Sequence, residues 1–256
     1  MRVAAVADLH CSRTSAGTFR GLFEQARAAA DVLLLCGDLT DYGLPEEAEL
    51  LTADLAAADG LPVVSVLGNH DFEAGREAEI RKVLAGAGML VLDGESCEIG
   101  GVGFAGVKGF AGGFGKGALG SWGEPAIKAF VQEAVSEALK LETALSRLRT
   151  DRRVVVMHYS PIAATVEGEP REIFPYLGSS RLEEPLSRYP VDVVFHGHAH
   201  RGQLEGRTPA GVPVFNVSLP LMRRSFPEGQ RCFRVFEIPT SSGGSAVPRE
   251  TAEVMP

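Results

Sequence analysis

Short apolar runs alternate with amphipathic stretches through the first two-thirds of the chain. Residues 3–7 form a strand candidate, and the stretch GTFRGLFEQARAAA that begins at Gly17 has helical spacing. DVLLLC (31–36) is almost wholly apolar, as a strand buried on both faces should be. Pro45 stands where a first helical turn begins, and EEAELLTADLAAA continues with early acidic residues that suit the helix dipole. LPVVSVL (61–67) predicts a third strand, and REAEIRKVLAGAG a third helix closed by glycines. A strand-helix-strand rhythm of this kind predicts parallel pairing, with helices covering the sheet.

The pattern then changes. SCEIGGVGFAGV (96–107) reads as a hairpin of two short strands, and the segment 109–123 is too glycine-rich for regular structure. Apolar spacing predicts a long helix from Pro125 to Arg149, followed by a strand in RRVVVMHYSP (152–161) and another in VDVVFHGHAH (191–200). Further strand candidates lie near 213–217 and 231–238. No internal repeat or linker divides the chain, so one domain is expected over 1–240, with a loose Ser/Gly/Pro-rich tail over 241–256.

Polar residues collect at the C-terminal ends of these strands. The first ends in Asp8-Leu9-His10 and the second in Gly37-Asp38, with Asp41 three residues on. The third ends in Gly68-Asn69-His70-Asp71, a later one in His158, and the last in His196-Gly197-His198-Ala199-His200. All 6 histidines of the chain therefore sit just past strand ends. Taken singly, each cluster reads as a turn or a helix cap. Together they converge where open α/β sheets bind ligands.

Carboxylates, an amide and imidazoles without a thiolate cluster suit Mn, Fe, Co, Ni or Zn rather than a closed structural zinc site. The candidate ligands are too many for one ion. Two ions sharing a carboxylate such as Asp38 would activate water and clamp phosphoryl oxygens. A net charge of −8 gives no basic face for a nucleic acid duplex or an anionic membrane, so metal ions would have to attract an anionic substrate. The 4 cysteines are scattered without a CxxC pair, and the first residues lack a signal-peptide cleavage site, so a cytoplasmic protein with reduced thiols is expected. Cys11, beside His10, is read as a thiol next to the site rather than a ligand.

The ordered set DLH (8–10), GDLTD (37–41), GNHD (68–71), His158 and GHAH (197–200) resembles the calcineurin-like metallophosphoesterases. The resemblance implies an α/β fold of two facing mixed β-sheets flanked by helices. It implies a dinuclear metal-dependent phosphohydrolase in which Asp8, His10 and His200 hold one ion, and Asn69, His158 and His198 the other. Asp38 would bridge them together with a water or hydroxide that serves as the nucleophile. His70 would be no ligand but the acid at the leaving oxygen, with Asp71 holding and polarising it. Asp41 is expected to order the loop around Asp38, Gly197 to let the backbone turn close to the site, and His196 to support the strand end.

In motif style the set looks most like the class III cyclic-nucleotide phosphodiesterase group, so a small phosphodiester, such as a nucleotide, is the expected substrate. Phosphomonoesterase and nucleotide pyrophosphatase activity are the alternatives, and a scaffold that lost its ligands is a remote one. Tyr42 stands where phosphoprotein phosphatases of the superfamily carry an arginine, which counts against a phosphoprotein substrate. The irregular segments 109–123 and 160–180 are expected to shape the pocket, with Lys116, Trp122, Arg201 and Phe114 as candidate substrate contacts. Oligomeric state is not readable from the sequence.

Overall fold

A computed structural model describes residues 1–226 and 231–239; the expected tail lies outside them. In chain order the elements are β1 (Arg2–Val6), α1 (Arg20–Ala29), β2 (Val32–Cys36), α2 (Pro45–Leu55), β3 (Val63–Val66), α3 (Glu77–Gly86), β4 (Leu90–Val91), β5 (Glu95–Ile99) and β6 (Val102–Val107). Then follow α4 (Pro125–Arg147), β7 (Arg152–Met157), α5 (Phe174–Leu177), α6 (Glu183–Arg188), β8 (Val193–His196), β9 (Glu205–Arg207), β10 (Pro213–Asn216), α7 (Leu219–Ser225) and β11 (Arg234–Glu237). Among the described residues, no helix is long and apolar enough to cross a membrane.

The strands form two mixed sheets, ordered β11-β1-β2-β3-β4 and β5-β6-β7-β8-β10-β9. In the first, β1 to β4 are parallel neighbours and β11 closes the edge antiparallel to β1. In the second, β6, β7, β8 and β10 are parallel, with antiparallel β5 and β9 at the edges. The expected hairpin is β5 and β6, paired Glu95 to Gly106 through Ile99 to Val102.

Alternation along each strand builds the layers. On β1, Val3 and Ala5 face the other sheet, while Ala4 and Val6 face the helices. The layer between the sheets holds Val32, Leu34 and Val64 from one side and Phe104, Val154, Val156 and Phe195 from the other. Outside it, α1, α2 and α3 cover the first sheet through residues such as Phe23, Leu51, Ile80 and Leu84. On the far side α4 and α6 cover the second through Leu141, Leu145 and Leu186. The result is a four-layer α/β/β/α sandwich. With both faces of the first sheet covered, the apolar VLLLC of the DVLLLC run becomes β2, buried at all its positions.

The parallel strands end together, so the sites after β1, β2, β3, β7 and β8 share one rim. Main-chain bonds lock that rim across both sheets. Asp8 N–H donates to Gly37 O at 3.0 Å, Gly197 N–H to His158 O at 3.1 Å, and Ala7 N–H to Val217 O at 2.9 Å.

Phe104 is fully buried between the sheets. Phe104→Ala is expected to lower the unfolding free energy by about 3–5 kcal/mol in urea titrations. A loss below about 1 kcal/mol would show that the inter-sheet layer collapses readily into the space left.

Candidate metal centre

The rim gathers three overlapping sets of donors, each with its atoms within 4.8 Å of one another: Asp8, His10 and His200; His10, Asp38 and His70; and Asp38, His158 and His198. Asp38 occurs in two sets, and one of its oxygens faces both sides. Oδ2 lies 3.8 Å from His10 Nε2 and 3.3 Å from His158 Nε2.

Burial opposes charge on Asp8 and Asp38, which are 2% and 1% exposed. Asp8 is nevertheless held below the usual carboxylate range by its contact with His200 and the charge of His158. Asp38 is held well below it by the charge and contact of His158 and the His70 backbone N–H. His158, itself fully buried, is pushed up to about 9: burial works against its charge, but Asp38 and Asp8 outweigh it. Burial and the neighbouring His158 push His198 down to about 4.

Four of the rim histidines are oriented from behind, which assigns the proton on each of these rings. His158 Nδ1 lies 3.0 Å from Cys36 O, and His198 Nε2 lies 3.1 Å from Tyr176 O. His70 Nδ1 lies 2.8 Å from Asp41 O, and His10 Nδ1 lies 3.2 Å from Asp41 Oδ1. A carbonyl or carboxylate oxygen only accepts, so these nitrogens carry N–H and the other nitrogen of each ring is free for the site.

The consequence is clearest around His158 Nε2. Asn69 Oδ1, His198 Nδ1 and Asp38 Oδ2 lie 3.0, 3.2 and 3.3 Å from it. With the outer nitrogens donating to carbonyls, these are lone pairs facing lone pairs, and a cation has to sit among them. Without a metal, a proton on His158 fills that role. On the other side His10 Nε2 is buried with no hydrogen-bond partner. Both observations fit a site built for metal ions.

Backbone geometry makes the same point. Among the described residues, the non-glycine residues at positive φ are Asp8 (57°), His10 (46°), Asp38 (49°) and His198 (69°). Left-handed backbone is costly for side-chain-bearing residues and persists where the surroundings force it, characteristically at functional sites. Two glycines permit the close approach. A Cβ at Gly68 would overlap Asp38 Oδ1 and the Asp38 backbone N, and one at Gly197 would come within 2.5 Å of Asp8 Oδ2 and the Ala7 Cβ.

The sequence model of the calcineurin-like phosphoesterase family matches residues 1–202. The chain belongs to the calcineurin-like phosphoesterase family. It is a metal-dependent phosphoester hydrolase, of a family that uses a dinuclear metal centre. Among solved structures, phosphopantetheinyl hydrolase (PptH) from Mycobacterium tuberculosis aligns at 17% identity over 95% of this chain and 98% of its own, with TM-score 0.63. The protein TT1561 of Thermus thermophilus aligns at 16% identity over 86% and 90%, with TM-score 0.54. The purple acid phosphatase PPD1 of yellow lupin aligns at 15% over 78% and 38%, with TM-score 0.52. At these identities the likeness is one of fold. No curated protein matches the chain significantly.

Within this phosphoesterase all the expected ligand positions, and His70, come together on the rim. The role expected of Asp71 needs correction, because it does not hold the His70 ring. Its Oδ1 accepts from Thr40 N–H at 2.8 Å and Thr40 Oγ1 at 2.7 Å, and its Oδ2 from Gly68 N–H at 2.8 Å and Leu39 N–H at 3.2 Å. Asp71 clamps the loop after β2 to the loop after β3. Burial and the Asp38 charge push it up to about 6, against the pull of those donors.

The group behind His70 is Asp41, whose carbonyl orients His70 and whose carboxylate faces His10. His196 stays out of the donor sets, with Nδ1 on Gly197 O and Nε2 on Thr165 Oγ1, both at 2.8 Å. Cys11 is buried outside the donor sets too, its thiol pushed up to about 12 by burial and by Asp54 and Glu47.

The two irregular segments divide the work. The carbonyl of Tyr176, within 160–180, touches His198. The glycine-rich segment docks behind it: Gly112 N–H donates to Pro175 O at 2.7 Å and Gly113 N–H to Gly178 O at 2.8 Å. Phe114 packs near Val166, Leu177 and Ala199. Lys116 and Trp122 are exposed and bond to no donor residue. Arg201 has an exposed side chain and donates its backbone N–H to Glu169 at 2.6 Å.

Asp71→Ala would strand three buried N–H donors, each costing about 1–3 kcal/mol. We expect a marked loss of stability in urea titrations and metal binding weakened by about 10–100-fold in direct titration. Unchanged metal affinity in the folded variant would show that the two loops hold their places without this clamp.

Proposed function

We propose that the chain is a dinuclear phosphodiesterase. In this reading Asp8, His10 and His200 hold one ion, Asn69, His158 and His198 the other, and Asp38 bridges the pair. The observation that carries it is the position of Asp38 Oδ2, which faces one histidine from each set. The nitrogen, carboxylate and amide donors suit divalent or trivalent Mn, Fe, Co, Ni or Zn. When bound, such a pair supplies an activated water and positive charge on the phosphoryl oxygens.

The protein's own groups do the rest. Asp8 and Asp38 are fixed by backbone donors: His198 N–H meets Asp8 Oδ2 at 3.0 Å, and His70 N–H meets Asp38 Oδ1 at 2.8 Å. His70 is the acid. Its Nδ1–H is committed to the Asp41 carbonyl, so it is Nε2 that faces the leaving oxygen and would deliver the proton from the doubly protonated ring. The part-exposed ring packs edge-on against His10 with centroids 4.5 Å apart, at the border of the donor set.

Charge supports a diester over a monoester. Among the described residues no lysine or arginine side chain bonds to a donor residue, so no fixed cation of the chain stands at the phosphate the ions would hold, where a monoester's second charge would fall. The substrate is then a small phosphate ester such as a nucleotide rather than a nucleic acid duplex. The free cysteines, three of them buried, support a reducing, cytoplasmic setting. A nucleotide pyrophosphatase with the same machinery is the second reading, and Lys108, described below, favours it.

Metal analysis of the purified protein followed by assays with added Mn tests the proposal. Bis-p-nitrophenyl phosphate should turn over faster than p-nitrophenyl phosphate; negligible diester beside strong monoester turnover would reverse the assignment. His70→Ala should slow diester turnover by about 10²–10⁴-fold with metal content intact. Loss of metal in that variant would make His70 a ligand.

A further inference from the structure

Lys108 lies just past β6, beside His158. Its carbonyl accepts the N–H groups of His158 and Tyr159 at 3.0 and 3.1 Å. Its side chain enters an aromatic box, with Nζ 5.5 Å from the centroid of Phe72, 5.0 Å from Phe110 and 5.4 Å from Tyr159. Two of these rings belong to the rim. Phe72 ends the short turn that begins at His70. Tyr159 follows His158, and its ring lies 4.4 Å from that of His198. The ammonium is therefore held between the acid's turn and one wall of the donor set.

A half-buried lysine in an acidic protein ordinarily finds a carboxylate. Lys108 donates to Gly109 O at 2.8 Å, and among the described residues it has no ion pair. Glu137, on α4 nearby, is already engaged: its Oε2 takes Gly109 N–H at 2.8 Å and its Oε1 takes Lys140 Nζ at 2.7 Å. An ammonium has three donors, so two remain for a ligand. The rings favour the cation where it stands and limit the rotamers it must give up on binding. Nothing links Nζ to a donor atom of the metal centre, so its partner is a group beyond the one the donors hold.

We propose that Lys108 binds a second phosphate of the substrate, next to the one that is hydrolysed. The substrate class is then an organic ester carrying two linked or neighbouring phosphates, rather than a singly charged diester. The assignment rests on the dinuclear phosphoesterase reading for the position of the first phosphate. The rim is suited to the organic part, since Tyr176 and Phe72 are 61% and 37% exposed beside it and offer ring surface.

ADP and AMP serve as probes, titrated calorimetrically into the metal-loaded protein. Wild type should bind ADP about tenfold more tightly than AMP. Lys108→Gln should bring that ratio close to one, and Lys108→Arg should retain most of it. Each ratio is taken within one protein, so partial unfolding does not distort it, and the metal pair contributes equally in every variant. A wild-type ratio near one, or a ratio that survives in Lys108→Gln, would overturn the assignment. The reading requires no turnover: an intact ADP preference in a protein inert toward bis-p-nitrophenyl phosphate would sink the phosphodiesterase proposal and leave the Lys108 site standing.

Discussion

Two carboxylates, Asp8 and Asp38, lie buried at the ends of neighbouring parallel strands, where each opposes the charge on the other or on a third acid nearby. Their burial is tolerable because positive and polar groups arrive from every other part of the rim. His158 comes from the second sheet, His200 from the loop after β8, and backbone N–H groups from His198 and His70. The dependence runs both ways. Asp8 holds the turn that presents His198, and Asp38 holds the turn that presents His70. Removing either acid would leave its partners buried without compensation, which is the costly way to break such a cluster.

The sandwich exists, in this sense, to keep those strand ends still. Strained backbone at Asp8, His10, Asp38 and His198 survives because the residues on either side are locked into sheets or main-chain bonds between them. Gly68 and Gly197 allow the chain to pass directly over the two acids. The orienting contacts behind His158, His70 and His198 come from Cys36, Asp41 and Tyr176, so the protonated nitrogen of these rings is chosen by groups that take no part in the donor set.

A division of labour follows. The donors and Lys108 sit just past strand ends, which a rigid core places accurately, whereas the exposed Tyr176 sits in the segment between β7 and β8. Structures sharing 15–17% identity with this chain keep its fold. Loop residues can change while the frame is retained, and binding residues are disproportionately carried on such loops.

Much of this was legible along the chain. Apolar runs and helical periodicity located the larger strands and helices, and the polar clusters after five strands marked the rim, because both signals are local. Short elements escaped: β4, β9, α6 and α7 span too few residues to show a period. The role of Asp71 escaped as well, since the residue adjacent to His70 in sequence turns away from it to bond Leu39 and Thr40. Asp41 was marked by the GDLTD motif, but its contacts with His70 and His10 were not, and Tyr176 and Lys108 carried no local mark. Their partners lie tens of residues away: Lys108 meets the loop of His158 because β6 and β7 pair in parallel, and it meets Phe72 because the two sheets pack together. The ligand types and their order are thus properties of the sequence. Which oxygen faces which nitrogen, and what is left unpaired for a substrate, is decided by burial and close approach, which exist only once the sheets have met.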